Sequence, residues 1–183
     1  MKENKQYRAI ELGKDGQPIP GTETTLWHSR SMATTCIIMA KEGKHTFFLV
    51  EKRGPGCPDN IGKYVFPCGY LSWDETLKQA AIREVYEETG LPLNENNLEF
   101  IGYEDKVTAN RQNVTMRFLA KVPVSILEEG LFTGLINPNT AKRGGEEGEC
   151  ESLHLVDINW IRDHASEFAF GHEYLAEEAY RLG

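Results

Sequence analysis

The sequence predicts a single α/β or α+β domain built around a mixed β-sheet. Its 183 residues suit one domain of ordinary size with a real hydrophobic core. Hydrophobic residues make up 40% of the chain and charged residues 26%, which is typical of soluble globular proteins. Strand-like and helical segments interleave, without the strict strand–helix–strand alternation of a doubly wound fold.

The first third of the chain predicts strands and turns. The turn sequences GKDG and KEGK each separate two strand-like segments, and glycine and proline predict a loop after them. The predicted segments are a hairpin of 7–12 and 17–19, strands at 32–40 and 46–52, a loop at 53–63, and a short strand interrupted at Pro67.

A well-defined helix is predicted next. Ser72 followed by Glu75 fits a capping box, so the helix is expected to start near Trp73. It is expected to end at Gly90, with Pro92 blocking its continuation.

The rest of the chain predicts further strands, an irregular segment and two short helices. These are strands at 98–108 and 112–122, an insertion or loop at 125–148, a late strand with the sequence SLHLVDI, and helices near 158–168 and 172–181. The prediction is therefore one domain over 1–183, with 1–30 as an N-terminal extension.

Composition excludes several classes of function. The net charge of −8 argues against binding DNA along its phosphate backbone, although a bound cation would still allow a small phosphorylated ligand. The four cysteines form no C-x-x-C pair, which favours a reducing cytoplasm. The longest apolar runs are too short to span a bilayer. A cytoplasmic protein without membrane contact is expected.

The sequence REVYEETG places three glutamates on neighbouring positions of the predicted helix. At about 100° per residue, Glu84 and Glu88 lie at the border of the apolar stripe that contains Val85. Glu87 lies beside them, and the single positive charge of Arg83 is not enough to compensate all three carboxylates. One interpretation is a solvated acidic face. The other is a site for a hard cation, Mg²⁺ or Mn²⁺, which would bridge the carboxylates to a substrate phosphate.

The longer stretch GYLSWDETLKQAAIREVYEETGL resembles the Nudix box, residues 69–91, at every defining position. The sequences GKYVFP and ESLHLVDINWI extend the likeness over most of 32–165. Cys68, Ser72 and Asp74 depart from residues common in the family, but none of them is a defining position.

The resemblance implies a Nudix-type α/β/α sandwich and an enzyme that hydrolyses a nucleoside diphosphate linked to a further group. In such enzymes water attacks phosphorus with the help of Mg²⁺ or Mn²⁺. The partner would be a small nucleotide substrate, and a homodimer is left open. The competing hypothesis is an inactive Nudix-like ligand sensor, which the intact box disfavours.

The resemblance also assigns roles within the box. The residues implied for the metal are Gly69, through its carbonyl, and Glu84, Glu87 and Glu88. The residues implied for catalysis are Glu84 as base, Arg83 as the group that orients a glutamate, and Glu147 or Glu146 as an alternative base on the Gly-rich loop. Glu75 is expected to be structural.

Each assignment outside the box has an alternative without a role in function. Lys52 and Arg53 could meet a phosphate or simply be a solvated strand end. The aromatic residues Trp27, Tyr64 and Trp73 could stack on a base, although core packing is the more common role.

Overall fold

The computed structural model describes residues 5–106 and 113–183, apart from the side chains of 5–7 and 26–28. It divides into two compact units, Met1–Ser31 and Met32–Gly183. The ends of the predicted strands at 98–108 and 112–122 lie partly outside the described residues.

The first unit contains a two-stranded antiparallel sheet of β1 (Lys5–Ala9) and β2 (Thr24–His28). The predicted hairpin at 7–12 and 17–19 is present only as a bridge between Leu12 and Pro18 around its turn. The longer pairing is the one between β1 and β2, further from the turn. The prediction was therefore correct for the turn and wrong for the strands.

Where its residues are described, the second unit contains the main sheet and four α-helices. The strands are β3 (Ser31–Glu42), β4 (His45–Arg53), β5 (Tyr64–Val65), β6 (Cys68–Tyr70), β7 (Leu98–Glu104), β8 (Asn113–Lys121) and β9 (Cys150–Asp157). The helices are α1 (Leu77–Thr89), α2 (Val124–Thr133), α3 (Ile158–Asp163) and α4 (His172–Leu182). Among the described residues, no helix has the length and apolar character needed to cross a membrane.

The sheet has the order β5-β4-β3-β8-β7, with β6 also paired to β3 and β9 to β4. Its two faces carry separate hydrophobic layers. On β3, Ile38 packs with α1 and α2, whereas its neighbours Ile37 and Met39 pack with α3 and α4. Burial of both faces explains why this strand has a continuous apolar sequence. The predicted α/β fold with a mixed sheet and helices on both faces is confirmed.

Helix α1 starts later than predicted. Its N-cap is Thr76, which forms the capping box with Gln79, and Gly90 closes the helix with φ 79°, as expected. Ser72 N–H does donate to Glu75 Oε1, at 2.8 Å, but this bond lies in the loop before the helix. The start near Trp73 was therefore wrong, because two capping patterns follow each other and the second one begins the helix.

The segment 125–148 is not irregular throughout. Residues Val124–Thr133 form α2, in which Val124 and Leu127 are buried against the core. Gly134, with φ 74°, ends this helix, and a short 3₁₀ turn follows at Thr140–Arg143. The prediction of an irregular segment was wrong for the first part, where apolar residues recur at helical spacing.

Candidate active site

Arg83 is the centre of a network of carboxylates at the border of α1. One terminal nitrogen donates to Glu84 Oε1 at 2.8 Å and to Glu87 Oε2 at 3.0 Å. The other side of the guanidinium binds both oxygens of Glu75, at 2.7 and 3.0 Å, and the carbonyl of Tyr70 at 3.0 Å. Arg83 therefore compensates two helix glutamates while Glu75 fixes its orientation.

The bidentate contact between Arg83 and Glu75 is the strongest in this network. Hydrogen bonds from Arg83 lower the pKa of Glu75, and the same bonds raise the pKa of Arg83. The side chain of Glu75 is only 13% exposed. The sequence predicted a structural role for Glu75 as a capping partner, and the contacts add a second role, positioning Arg83.

Gly69 allows the carboxylate of Glu84 to lie directly against the backbone of β6. A Cβ atom at position 69 would be 2.1 Å from Glu84 Oε1 and 2.6 Å from Oε2. Burial raises the pKa of Glu84 to about 7, partly opposed by the charge of Arg83. The structure thus brings together three predicted residues, Gly69, Arg83 and Glu84.

Glu88 is the most deeply buried of the three helix glutamates, at 6% exposed. Its Oε2 accepts a hydrogen bond from the backbone N–H of Cys68 at 3.0 Å. Burial, and then the nearby charge of Glu51, raise the pKa of Glu88 well above its ordinary value. A carboxylate in such a position needs either a proton or a cation.

Glu51 on β4 is part of this site, and the sequence analysis missed it. It is 2% exposed, and burial raises its pKa to about 8. Its Oε2 is buried and has no hydrogen-bond partner among the described residues. The signal in the sequence was an ionisable residue directly after the apolar run FFLV, which predicts a strand buried on both faces.

The Gly-rich loop brings Glu149, rather than Glu147, towards the helix glutamates. Glu149 Oε2 accepts the backbone N–H of Glu146 at 3.0 Å, and burial raises the pKa of Glu149, with the charges of Glu146 and Glu87 adding to the effect. Glu146 and Glu147 are exposed. Among the described contacts, none joins the Glu147 carboxylate to a glutamate of α1.

The Gly-rich loop is tied to the loop that follows β4. Gly54 N–H donates to the carbonyl of Glu149 at 2.7 Å, and Gly56 N–H donates to that of Gly148 at 2.9 Å. A Cβ at Gly54 would be 2.1 Å from the Gly148 oxygen, so only glycine permits this approach. Two segments far apart in the sequence thus form one wall beside α1.

Comparison with known proteins identifies the family. The model of the family described as NUDIX domain matches residues 29–177, which is most of the chain. The chain belongs to the NUDIX family. The predicted Nudix-type hydrolase is confirmed at the level of the family, and the N-terminal 28 residues lie outside the match.

Solved structures share the fold. A mutT/nudix family protein from Listeria innocua has 22% sequence identity and a TM-score of 0.59, and the match covers 85% of this chain and 94% of that chain. The NUDIX domain of Shewanella oneidensis NrtR, complexed with ADP ribose, has 16% identity and a TM-score of 0.59, over 85% and 90% of the chains.

A third structure is a bifunctional NMN adenylyltransferase/ADP ribose pyrophosphatase from Francisella tularensis, complexed with AMP and a manganese ion. It has 16% identity and a TM-score of 0.59, over 84% of this chain and 42% of that chain. The present chain therefore spans less than half of the Francisella protein. A comparison with curated proteins gave no match.

The cations that the sequence suggested as phosphate contacts both have acidic partners in this Nudix fold. Lys52 Nζ lies 3.0 Å from Glu151 Oε1, and an Arg53 terminal nitrogen lies 3.1 Å from Asp59 Oδ1. Arg53 is also 9% exposed and stacks over the ring of Phe170, 5.2 Å from its centroid. Arg53 therefore stabilises the loop after β4.

The three candidate aromatic residues have different environments. Tyr64 packs edge-on against Trp160, with ring centroids 5.1 Å apart, and beside Phe168. Trp73 is 94% exposed in the loop of the Nudix box. The side chain of Trp27 lies outside the described residues. Tyr64 is thus a packing residue, and Trp73 is accessible to a ligand.

The donor set of the site fits a hard divalent cation. Among the described residues, no three Asp, Glu, His or Cys side chains form a preassembled metal cluster. Glu84 and Glu87 are held by Arg83, and Glu88 by the Cys68 N–H. The available donors are nevertheless carboxylate oxygens, including the unpartnered Oε2 of Glu51, and oxygen ligands suit Mg²⁺ or Mn²⁺.

Proposed function

We propose that this Nudix hydrolase cleaves a pyrophosphate linkage in a nucleoside diphosphate derivative, with water attacking phosphorus and a divalent cation bound by the helix glutamates. The observation that carries the proposal is the arrangement of the helix glutamates: Arg83 holds Glu84 and Glu87, and Glu84 lies against Gly69. Glu88 beside them accepts the N–H of Cys68. A purely solvated acidic face would leave these carboxylates exposed. Instead Glu88 is buried, and Glu84 is 13% exposed.

Glu84, Glu87, Glu88 and the carbonyl of Gly69 are the groups that would hold Mg²⁺ or Mn²⁺. When bound, the cation neutralises the negative charge of the diphosphate and of the transition state. The manganese ion in the Francisella structure supports this choice of cofactor. It also explains how a chain with a net charge of −8 can bind an anionic substrate.

Glu84 is our proposed general base, which takes the proton of the attacking water. It lies on a rigid helix, and Arg83 and the Gly69 backbone fix its carboxylate. Its pKa of about 7 is close to neutral pH, where a general base is most effective. Arg83 acts as a positioning residue, held in turn by the bidentate contact with Glu75.

The substrate class rests on the chemistry of the site and on the ligands of similar structures. ADP ribose and AMP in the Shewanella and Francisella complexes are both adenine nucleotides. A nucleoside diphosphate joined to a sugar or to a second nucleotide would present the diphosphate to the cation. The cytoplasmic location and the homodimer stay predictions.

The first experiment is a screen of nucleoside diphosphate derivatives with Mg²⁺, in which products are converted to phosphate by a phosphatase. EDTA is expected to abolish turnover and Mg²⁺ or Mn²⁺ to restore it. Glu87→Gln and Glu88→Gln are expected to lower kcat by about 10²-fold or more with the fold retained, and the exposed Glu128→Gln is the matched control. Full activity in EDTA would contradict the proposed metal dependence.

A second experiment tests the base. Glu84→Gln should lower kcat by about 10²–10⁴-fold and remove the acidic limb of the pH profile, whereas Glu146→Gln and Glu147→Gln should lose much less. Because Glu149 lies nearer the helix, Glu149→Gln belongs in the same series. If a loop variant loses the acidic limb while Glu84→Gln keeps it, the base lies on the loop. Tight nucleotide binding without turnover by the unmodified protein would favour a sensor instead.

A further inference from the structure

The strand pattern of β4 points Glu51 towards the glutamates of α1. Side chains on a strand alternate between faces, and Phe47 and Leu49 pack in the layer that contains α1. Glu51 is the next residue in that row, and its partner on β9, Leu153, packs in the same layer. Glu51 is therefore an acidic residue at the end of an apolar row.

Glu88 meets this row from the opposite side. The buried residues of α1 include Ala81, Val85 and Glu88, at the spacing of the face that packs on the sheet. The charge of Glu51 raises the pKa of Glu88, and the charge of Glu84 raises the pKa of both. The sheet and the helix thus each present a buried carboxylate to the same layer.

The negative charges of these two carboxylates are compensated by few hydrogen-bond donors and cations among the described residues. Glu88 Oε2 accepts the Cys68 N–H, but Glu51 Oε2 has no hydrogen-bond partner among the described residues. Arg53 is the cation whose charge reaches Glu51, and its guanidinium is bound to Asp59. Facing carboxylates without a cation are costly to bury, so this arrangement fits a site that a cation completes.

We propose that Glu51 supplies an additional carboxylate ligand to the divalent cation, on the sheet side of the site and facing Glu88. The inference rests on the proposed metal-dependent function. Cys150 is paired with Arg53 at the end of β9, next to this row, and its buried thiol donates to the carbonyl of Ser152 at 3.5 Å. The thiol is thus directed at the backbone, and the carboxylate of Glu51 is the hard oxygen ligand that this row offers to the cation.

The test measures metal binding directly, without substrate. The full chain and its variants are titrated with Mn²⁺, and free Mn²⁺ is followed by electron paramagnetic resonance. Glu51→Gln keeps the shape and removes the charge, and Glu51→Asp keeps the charge but shortens the side chain. Glu128→Gln, exposed on α2, is the matched control.

Both variants of Glu51 are expected to raise the Kd for Mn²⁺ by about 10–100-fold, the range typical of weakened metal sites, while Glu128→Gln leaves it unchanged. In EDTA near pH 8, Glu51→Gln should have a higher Tm than the unmodified protein, because it removes an uncompensated buried carboxylate. Addition of Mn²⁺ should then raise its Tm less than it raises that of the unmodified protein.

An unchanged Mn²⁺ affinity in both Glu51 variants would overturn the inference and leave the proposed function intact. A chain that hydrolyses no nucleotide, yet loses Mn²⁺ affinity on substitution of Glu51, would overturn the function and support the inference. Failure of the unmodified chain to bind Mn²⁺ would overturn both. A Glu51→Gln variant whose Tm falls equally in EDTA and in Mn²⁺ would show that Glu51 is only structural.

Discussion

Replacement of Gly69 by alanine tests whether the approach of Glu84 to the β6 backbone matters for catalysis. The new Cβ would be 2.1 Å from Glu84 Oε1 and 2.2 Å from Cδ. Real Cβ atoms keep at least 3.0 Å, so the carboxylate must move by about 1 Å. This movement also disturbs the 2.8 Å bond from Arg83.

The cost should fall on activity rather than on stability. The clashing atoms are the end of a flexible side chain, and Gly69 has no positive φ, so the backbone accepts alanine. A misplacement of about 1 Å in a catalytic group can cost about 10²-fold in rate, or about 2.7 kcal/mol. We expect kcat of Gly69→Ala to fall about 10²-fold at saturating Mg²⁺, with the urea midpoint nearly unchanged.

A double-mutant cycle decides whether Glu84 carries the effect. If alanine acts by displacing Glu84, then adding Gly69→Ala to Glu84→Gln should cost little further activity, because the two changes share one target. Equal losses in both backgrounds would show that Gly69 acts independently of Glu84. A kcat within about threefold of the unmodified enzyme would refute the geometric reasoning altogether.

Glu75→Gln weakens the bidentate hold on Arg83 and should lower kcat by about 10-fold, which steady-state kinetics would show and an unchanged kcat would contradict. Burial raises the pKa of Glu51 to about 8. In EDTA, at pH values between the ordinary pKa of a glutamate and this raised pKa, the folded state therefore binds more protons than the unfolded state. The free energy of unfolding, measured by urea titration, should therefore fall as the pH rises from about 5.5 to about 8.5. It should fall less steeply in Glu51→Gln, and a flat profile in the unmodified protein would contradict this prediction. Leu127→Ala should cost about 2–5 kcal/mol of stability and the exposed Phe132→Ala less than about 0.5 kcal/mol, whereas equal effects would argue against packing of α2.

Local patterns were sufficient to predict the helix side of the site. The period of the helix placed Glu84 and Glu88 at the border of the apolar stripe, and both have low exposure in the structure. The glycine at position 90 predicted the end of the helix, because the left-handed conformation found there is one that few other residues adopt easily. These features depend on neighbours within one or two turns, which a sequence displays directly.

The sheet side of the site depends on pairing between distant segments, which the sequence does not display. Glu51 reaches the site because β4 pairs with β9 and packs under α1. Glu149 reaches it because its carbonyl accepts the Gly54 N–H. The resemblance implies a base on the Gly-rich loop, at Glu147 or Glu146, but a sequence does not show which of several nearby loop glutamates turns towards the helix.

The glutamates of α1 differ in how their charge is compensated, and this difference constrains the proposed chemistry. Glu84 and Glu87 share one nitrogen of Arg83, so a cation that binds their oxygens must compete with the guanidinium. Glu75 holds the opposite side of Arg83 through two bonds, which keeps the guanidinium beside the site when its bonds to the helix glutamates weaken. Glu88 faces Glu51 without such an arginine contact, so a cation there meets carboxylates with no guanidinium to displace. On the proposed function, the buried pair should therefore determine metal affinity, whereas the pair held by Arg83 should determine the geometry of attack.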